Sequence, residues 1–405
     1  MGNAFIQPFV AVRPRPELAA RICAPPYDVV STEEARRLAG ENPLSFLRVS
    51  RPEIEFPDGT DPYAPEVYER GRMRFESLMR AGALFEEERP AFYVYRLRLG
   101  SQEQTGLTAV VHCEAYLSGD VRKHELTRPD KEDDRTRHIE TLNAQTGPAY
   151  LIYRAQPALD ALLADRTQAP PEIEFEDETG VRHSVWAVTE ADGLAAVQQA
   201  LERIPRLYIA DGHHRTAAAA RVYQKRHGAG RSGWFLAVLF PHNQLRILPY
   251  HRLVRDLNGL TVPEFLRRLA SQGELGPGDG RPQRPHEVDV YVAGRWQRMR
   301  FRKVPDPDTD AVEALDVTLL QKQVLAPVLG IEDPRTSPRL EFVGGAAGPE
   351  TLAHAVDSGR AACAFALHPT QMDELLKIAD QGGILPPKST WFHPKLRDGL
   401  FSHRL

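Results

Sequence analysis

The stretch Leu207-Tyr-Ile-Ala-Asp-Gly-His-His-Arg-Thr-Ala-Ala-Ala-Ala220 decides how this chain is read. An apolar run, Leu207 to Ala210, halts at Asp211-Gly212. Two histidines and an arginine follow, and then a run of alanines. The pattern predicts strand, tight turn and helix, with the reactive side chains gathered in the turn. Asp211 is expected to cap the helix, and Gly212 to let the backbone approach a ligand closely. His213, His214 and Arg215 then fall in the first helical turn. There the unpaired N–H groups and the helix dipole favour an anion, a phosphate or a carboxylate. Three basic side chains at that end oppose the dipole, which is poor design for a purely structural helix.

The rest of the 405 residues sets bounds on this reading. Hydrophobic content of 42% and charged content of 26% fit a folded enzyme-like chain of two or three domains, or one elaborated one. A net charge of −4 gives no general attraction to nucleic acid or to an anionic membrane. No apolar run reaches the roughly 20 residues a membrane helix needs. The opening Met1-Gly-Asn-Ala-Phe-Ile-Gln-Pro8 lacks the basic and apolar regions of a signal peptide, so a cytoplasmic location is expected. Cys23, Cys113 and Cys363 are too few and too scattered for a disulfide framework or a zinc cluster. Only eight of the 51 basic residues are lysine. A lysine kept against that bias can mark a need for a compact ammonium, and Lys123, Lys131, Lys388 and Lys395 all lie in motif-like segments.

Along the chain, Ser31 and Glu34 have the spacing of a capping box at the start of a helix. Strands are expected at 45–49, 91–98, 108–116 and 234–240, the last partnered by 245–248, with a helix over 63–82. The texture changes near residue 256. A short helix over 262–270, a Gly/Pro/Arg loop and a hairpin around Ala293-Gly-Arg295 suggest a small α+β unit. The division read from this is a main α/β region over 1–255, a small α+β lobe or insertion over 256–340, and a C-terminal segment over 341–405. That segment would return to the main domain through strand, helix and strand.

Four further segments could carry chemistry. Lys123-His-Glu-Leu-Thr127 and Lys131-Glu-Asp-Asp-Arg135 offer a carboxylate, an imidazole and two lysines. Glu125 beside His124 could act as a general base or hold a divalent metal; it could equally belong to a charged loop ahead of a helix. In Pro386-Pro-Lys-Ser-Thr390, two prolines stiffen the approach to Lys388, Ser389 and Thr390. Such a loop suits phosphate or carboxylate, or serves as a structural clasp. Pro249-Tyr-His-Arg252 places His251 and Arg252 after a strand, as an anion site or a helix cap. Asp28, in Ala24-Pro-Pro-Tyr-Asp28, could be a site carboxylate or a turn acceptor. Val343-Gly-Gly-Ala-Ala-Gly348 is misspaced for a dinucleotide fingerprint and reads as a turn. No nucleophile elbow is present, and no cysteine has a partner that would activate it.

Taken in order, Pro25-Pro-Tyr-Asp28, His124-Glu-x-Thr127, Asp134-Arg135, Asp211-Gly-His-His-Arg215, His251-Arg252 and Pro386-Pro-Lys-Ser-Thr390 resemble the prokaryotic family known as domain of unknown function 1015. The resemblance runs over nearly the whole chain. The strand, Asp-Gly-His-His-Arg turn and helix also look like the nucleotide-binding turn of the ParB/sulfiredoxin superfamily. That superfamily includes partition proteins, sulfiredoxins and ParB-like kinases of free serine. This second likeness implies that Gly212, His213, His214 and Arg215 bind nucleotide phosphates, and that Asp211 holds Mg²⁺ or orients a histidine. Sulfiredoxin chemistry would need a cysteine in the turn, where this chain has histidine.

The expectation is therefore a mixed α/β chain with a ParB/sulfiredoxin-like nucleotide-binding core and an additional small α+β lobe. Its expected activity is phosphoryl transfer from ATP or ADP, with Mg²⁺, to a hydroxyl amino acid such as free L-serine. Glu125, His124, Asp211 and His214 would be catalytic, with Asp211 and Glu125 at the metal. Lys388, Ser389, Thr390, Arg252, Lys131 and Arg135 would hold substrate or phosphate. The partners expected are a nucleotide and a small polar substrate, with no nucleic acid and no membrane; a homodimer is compatible with the chain. One alternative is a metal-dependent hydrolase using His124, Glu125, Asp211, His213 and His251. Another is a nucleotide-gated binding protein without catalysis.

Overall fold

A computed structural model of the chain describes residues 5–405. Residues 1–4, part of the stretch without a signal-peptide pattern, lie outside the described residues. The fold is mixed α/β and divides into two compact units. The first comprises residues up to 245 together with 394–405, and the second comprises 246–393.

The first unit is built on a nine-stranded mixed sheet. Its order runs Val121–Arg122, Leu207–Asp211, Ala149–Tyr153, Trp234–Pro241, Gln102–His112, Phe92–Leu99, Arg182–Val188, Ile173–Glu176, with Ile6–Gln7 also paired to Gln102–His112. Trp234–Pro241 is a continuous apolar strand with Phe235 to Pro241 buried, as its central position requires. Leu207–Asp211 pairs parallel with Val121–Arg122 and antiparallel with Ala149–Tyr153, with a bulge between Ile209 and Asp211. The helix His213–Arg226 follows directly and buries Thr216, Ala217, Ala218, Ala219, Ala220 and Val222. The small alanine side chains let helix and sheet approach closely. Pro129–Leu142 packs beside this helix. Ser31 and Glu34 form the expected capping box of the helix Thr32–Ala39.

The second unit has a six-stranded antiparallel sheet, ordered Gly273–Pro277, Arg295–Phe301, Glu287–Val292, Cys363–Leu367, Tyr250–Val254, Leu340–Gly344. The expected hairpin is present, turning at Ala293 and Gly294, both with positive φ. That pair of angles matches a two-residue turn of the primed type. The expected helix near 262–270 spans Val262–Gln272. Leu340–Gly344, Pro349–Asp357 and Cys363–Leu367 give the expected strand, helix and strand.

Four expectations are corrected. The three-part division fails because Cys363–Leu367 pairs with both Tyr250–Val254 and Glu287–Val292. The expected lobe and most of the expected C-terminal segment therefore form one sheet, and only residues 394–405 belong to the first unit. The strand expected over 108–116 ends at His112, and Cys113–Ser118 is helical, as is Leu47–Ser50. Arg246–Leu248 pairs with Trp391–His393 rather than with Trp234–Pro241. Among the described residues, no helix is long and apolar enough to cross a membrane.

Candidate active site

Gly212, not Asp211, is the N-cap of the helix His213–Arg226, with φ of 89°. A Cβ at Gly212 would sit 3.3 Å from Ala149 Cα, so both the angle and the close backbone contact call for glycine. No side chain caps this helix. The first amide with a helical acceptor is that of Thr216, which donates to Gly212 O at 3.0 Å. The amides of His213, His214 and Arg215 precede it and find no acceptor among the described residues. This is the uncapped, positive end of a helix, open to an anion.

Asp211 is the last residue of its strand. Its Oδ1 accepts the Gly212 N–H at 2.8 Å, and its Oδ2 accepts Lys395 Nζ at 2.7 Å. Burial opposes the charge on Asp211, but Lys395, Arg215 and the Gly212 amide outweigh it and hold the carboxyl well below the usual carboxylate range.

The parallel pairing of Val121–Arg122 with Leu207–Tyr208 sends both chains out at the same end of the sheet. His124 and Glu125 thereby arrive beside the turn. The rings of His124 and His213 meet edge to face, with centroids 4.6 Å apart. His124 is 1% exposed and His213 6%. Both ring nitrogens of His124, and Nε2 of His213, are buried without a hydrogen-bond partner. Each such group costs about 1–3 kcal/mol if nothing binds it. His213 Nδ1 lies 4.0 Å from Glu125 Oε2. Burial pushes His124 down to about 4, against the pull of Asp211. Burial and then the neighbouring His124 hold His213 well below the ordinary histidine range. Both rings are therefore neutral at pH 7, the form that binds metal.

The remaining residues of the turn are engaged in building it. His214 Nε2 accepts the Arg128 N–H at 3.1 Å. Arg215 Nη1 donates to Pro148 O at 2.9 Å, and its Nη2 reaches Asp28 at 3.4 Å. Arg215 and Arg135 both lie over the Tyr27 ring, at 5.2 and 4.0 Å, and Arg135 pairs with Asp134. A small cavity of about 30 Å³ is lined by Tyr27, Arg135, Gly147, Arg215 and Asp398, among others. Burial, only partly offset by Arg215, raises the Asp398 carboxyl to about 6. Lys131 donates to the Tyr63 hydroxyl at 2.9 Å.

Within the second unit, Arg252 and Lys388 form a cationic cluster. Arg252 is 4% exposed, and its guanidinium donates to the carbonyls of Tyr250, His251 and Lys388 while lying 4.4 Å over the Phe342 ring. No carboxylate pairs with it among the described residues, and burial lowers it to about 9. Lys388 has a left-handed backbone, φ 56°, and its Nζ lies 5.2 Å over the Tyr250 ring. Ser389 Oγ is turned inward and donates to Pro386 O at 2.6 Å. Thr390 is half-buried beside it. His251 Nδ1 accepts the Leu367 N–H at 3.2 Å.

Of the sequence-predicted residues, the first unit thus brings together Asp28, His124, Glu125, Arg135 and Asp211 to Arg215. The second brings together His251, Arg252 and Lys388 to Thr390. Lys395 and Asp398 had no role assigned from sequence. The scarcity of lysine was a signal for Lys395, and nothing local marks Asp398.

The family model described as "Protein of unknown function (DUF1015)" matches residues 6–318. The chain belongs to the DUF1015 family. This DUF1015 chain is similar to a conserved hypothetical protein from Pyrococcus furiosus, at 11% identity over 72% of this chain and 93% of that one, TM-score 0.37. It is similar to a free serine kinase solved in complex with AMP, at 11% identity over 70% and 86%, TM-score 0.38. It is also similar to SbnI with a C-terminal truncation from Staphylococcus aureus, at 12% identity over 72% and 85%, TM-score 0.38. No curated protein matches. Likenesses this distant assign no activity to a DUF1015 chain, and its function has to be read from the site.

Proposed function

We propose that this chain is a nucleotide-dependent phosphotransferase acting on a small hydroxyl acceptor, with free L-serine as the leading candidate and ATP or ADP as donor. The observation that carries the reading is the uncapped first turn of the helix His213–Arg226, with Lys395 held beside it by Asp211. Three amides without acceptors and an ammonium suit the phosphates of a nucleotide. Phosphoryl transfer asks mainly for positioning and charge neutralisation, which such a seat supplies.

In this reading the amides of His213, His214 and Arg215 grip the phosphates. The side chains of His214 and Arg215 fix the turn through Arg128, Pro148 and Asp28. Glu125, whose carboxylate stands 4.0 Å from His213 Nδ1 and stays partly exposed, takes the proton of the acceptor hydroxyl. Arg252 and Lys388 form a cluster of the kind that a carboxylate or phosphate fills. Mg²⁺ would neutralise phosphate charge. Asp211, expected to hold it, already spends both oxygens on Gly212 and Lys395. The other nearby donors are two imidazoles and one carboxylate, a poor match for an ion that demands an octahedron of oxygens.

The test is a donor-by-acceptor screen, with ATP or ADP and Mg²⁺ against hydroxyl amino acids, hydroxy acids and polyols, read by mass spectrometry. A phosphorylated product that disappears in Lys395→Met is expected. Nucleotide binding without any product would favour a nucleotide-gated binding protein. One observation favours a metal-dependent hydrolase instead, the grouping of His124, Glu125 and His213. That reading also called on His251, which belongs to the second unit and already binds the Leu367 amide.

A further inference from the structure

We infer that His124, Glu125 and His213 form a binding site for a divalent transition-metal ion of the Mn²⁺, Fe²⁺ or Zn²⁺ class, and not for Mg²⁺. One ligand atom from each of the three lies within 4.8 Å of the others. Two ligands bound at about 2.1 Å can be at most about 4.2 Å apart, so the group closes by roughly half an ångström on binding. Three ring nitrogens at this point are buried and have no hydrogen-bond partner. A core histidine kept for packing normally has one. Two imidazoles and one carboxylate are the donors such ions prefer, and they leave coordination positions for water or substrate.

The surroundings agree. His124 follows the edge strand Val121–Arg122 by two residues and His213 opens the helix after the motif strand, so the pairing of those two strands brings the histidines together. Next to an anion seat, such an ion would bind and polarise a phosphoryl oxygen. That role rests on the phosphotransferase reading; the binding itself does not.

The test uses the full chain stripped with chelator and Co²⁺ alone, without nucleotide. Expected are one equivalent of Co²⁺ bound per chain and visible absorption intensified and shifted from that of the aqueous ion. Zn²⁺ should displace it, and Mg²⁺ at a thousandfold excess should not. His213→Gln and Glu125→Gln should each weaken Co²⁺ at least tenfold. If His213→Gln fails to fold, His124→Gln and Glu125→Gln, checked by circular dichroism, carry the test. Absent stoichiometric binding, equal competition by Mg²⁺, or unchanged affinity in the folded variants would overturn the inference. Nucleotide binding, measured separately in chelator, reports on the phosphotransferase reading, so either idea can fail alone.

Discussion

Lys395 Nζ and Asp211 Oδ2 stand 2.7 Å apart across 184 positions of sequence. The pair ties the turn to the segment that follows the second unit. It also puts an ammonium beside three helix amides that lack acceptors.

Lys395→Met should therefore cost stability and ligand together. Its side chain is 17% exposed and that of Asp211 26%. The expected loss is roughly 2 kcal/mol, between the values for exposed and fully buried pairs. Urea unfolding measures it. Because the Asp211 carboxyl is held low, the contribution of the pair is fully present above pH of about 4 and is lost as pH falls through the folded value. Nucleotide affinity should drop at least tenfold in the same variant. Wild-type affinity for nucleotide would remove Lys395 from the phosphate seat.

His124 makes stability depend on pH in a second window. Its folded value is about 4, against an ordinary value of about 6.5. Between these the unfolded chain binds the proton and the folded one does not. Stability is thus present above pH of about 6.5, declines toward about 4 and is flat below, by up to about 3 kcal/mol. His124→Gln should flatten the profile in that window. An unchanged slope would mean that the ring is hydrated or protonated in the native protein.

Gly212→Ala tests the turn. The left-handed angle and the nearby Ala149 backbone should together cost at least about 1–2 kcal/mol. Thermal melting should show a drop of several degrees, and phosphate should stabilise the variant less than the parent. A neutral substitution would show that the turn relaxes to another conformation.

Arg252→Met separates stability from binding in the second unit. A buried guanidinium without a carboxylate gains little for the fold, so the change should be neutral within about 1 kcal/mol. Stabilisation of the second unit by sulfate or phosphate should disappear. If stability collapses instead, the hydrogen bonds to Tyr250, His251 and Lys388 are the purpose of the arginine.

Much of this was legible from local pattern. Apolar run, break and alanine run produced the motif strand and helix, and Ala293-Gly294 produced its hairpin turn. Asp211 was misread as a cap because cap preference ignores Lys395, whose contact is set by tertiary structure. Cys113–Ser118 looked like more strand because short apolar runs do not separate helix from strand. The unit boundaries were misplaced because the change near 256 marks a loop, while the pairing of Tyr250–Val254 with Cys363–Leu367 spans over a hundred residues. The meeting of His124 with His213 depends on a two-residue edge strand, too short for any periodicity to announce.

The return of residues 394–405 to the first unit has a consequence for biosynthesis. The ribosome makes the motif turn early and Lys395 late, with 246–393 in between, a delay of roughly 9–37 s over the 184 positions at ordinary elongation rates. Throughout that interval the nascent chain carries Asp211 without its ammonium and the anion seat without its cation. The first unit can collapse around its sheet during translation, but its chemistry is assembled only after a whole second unit has been made.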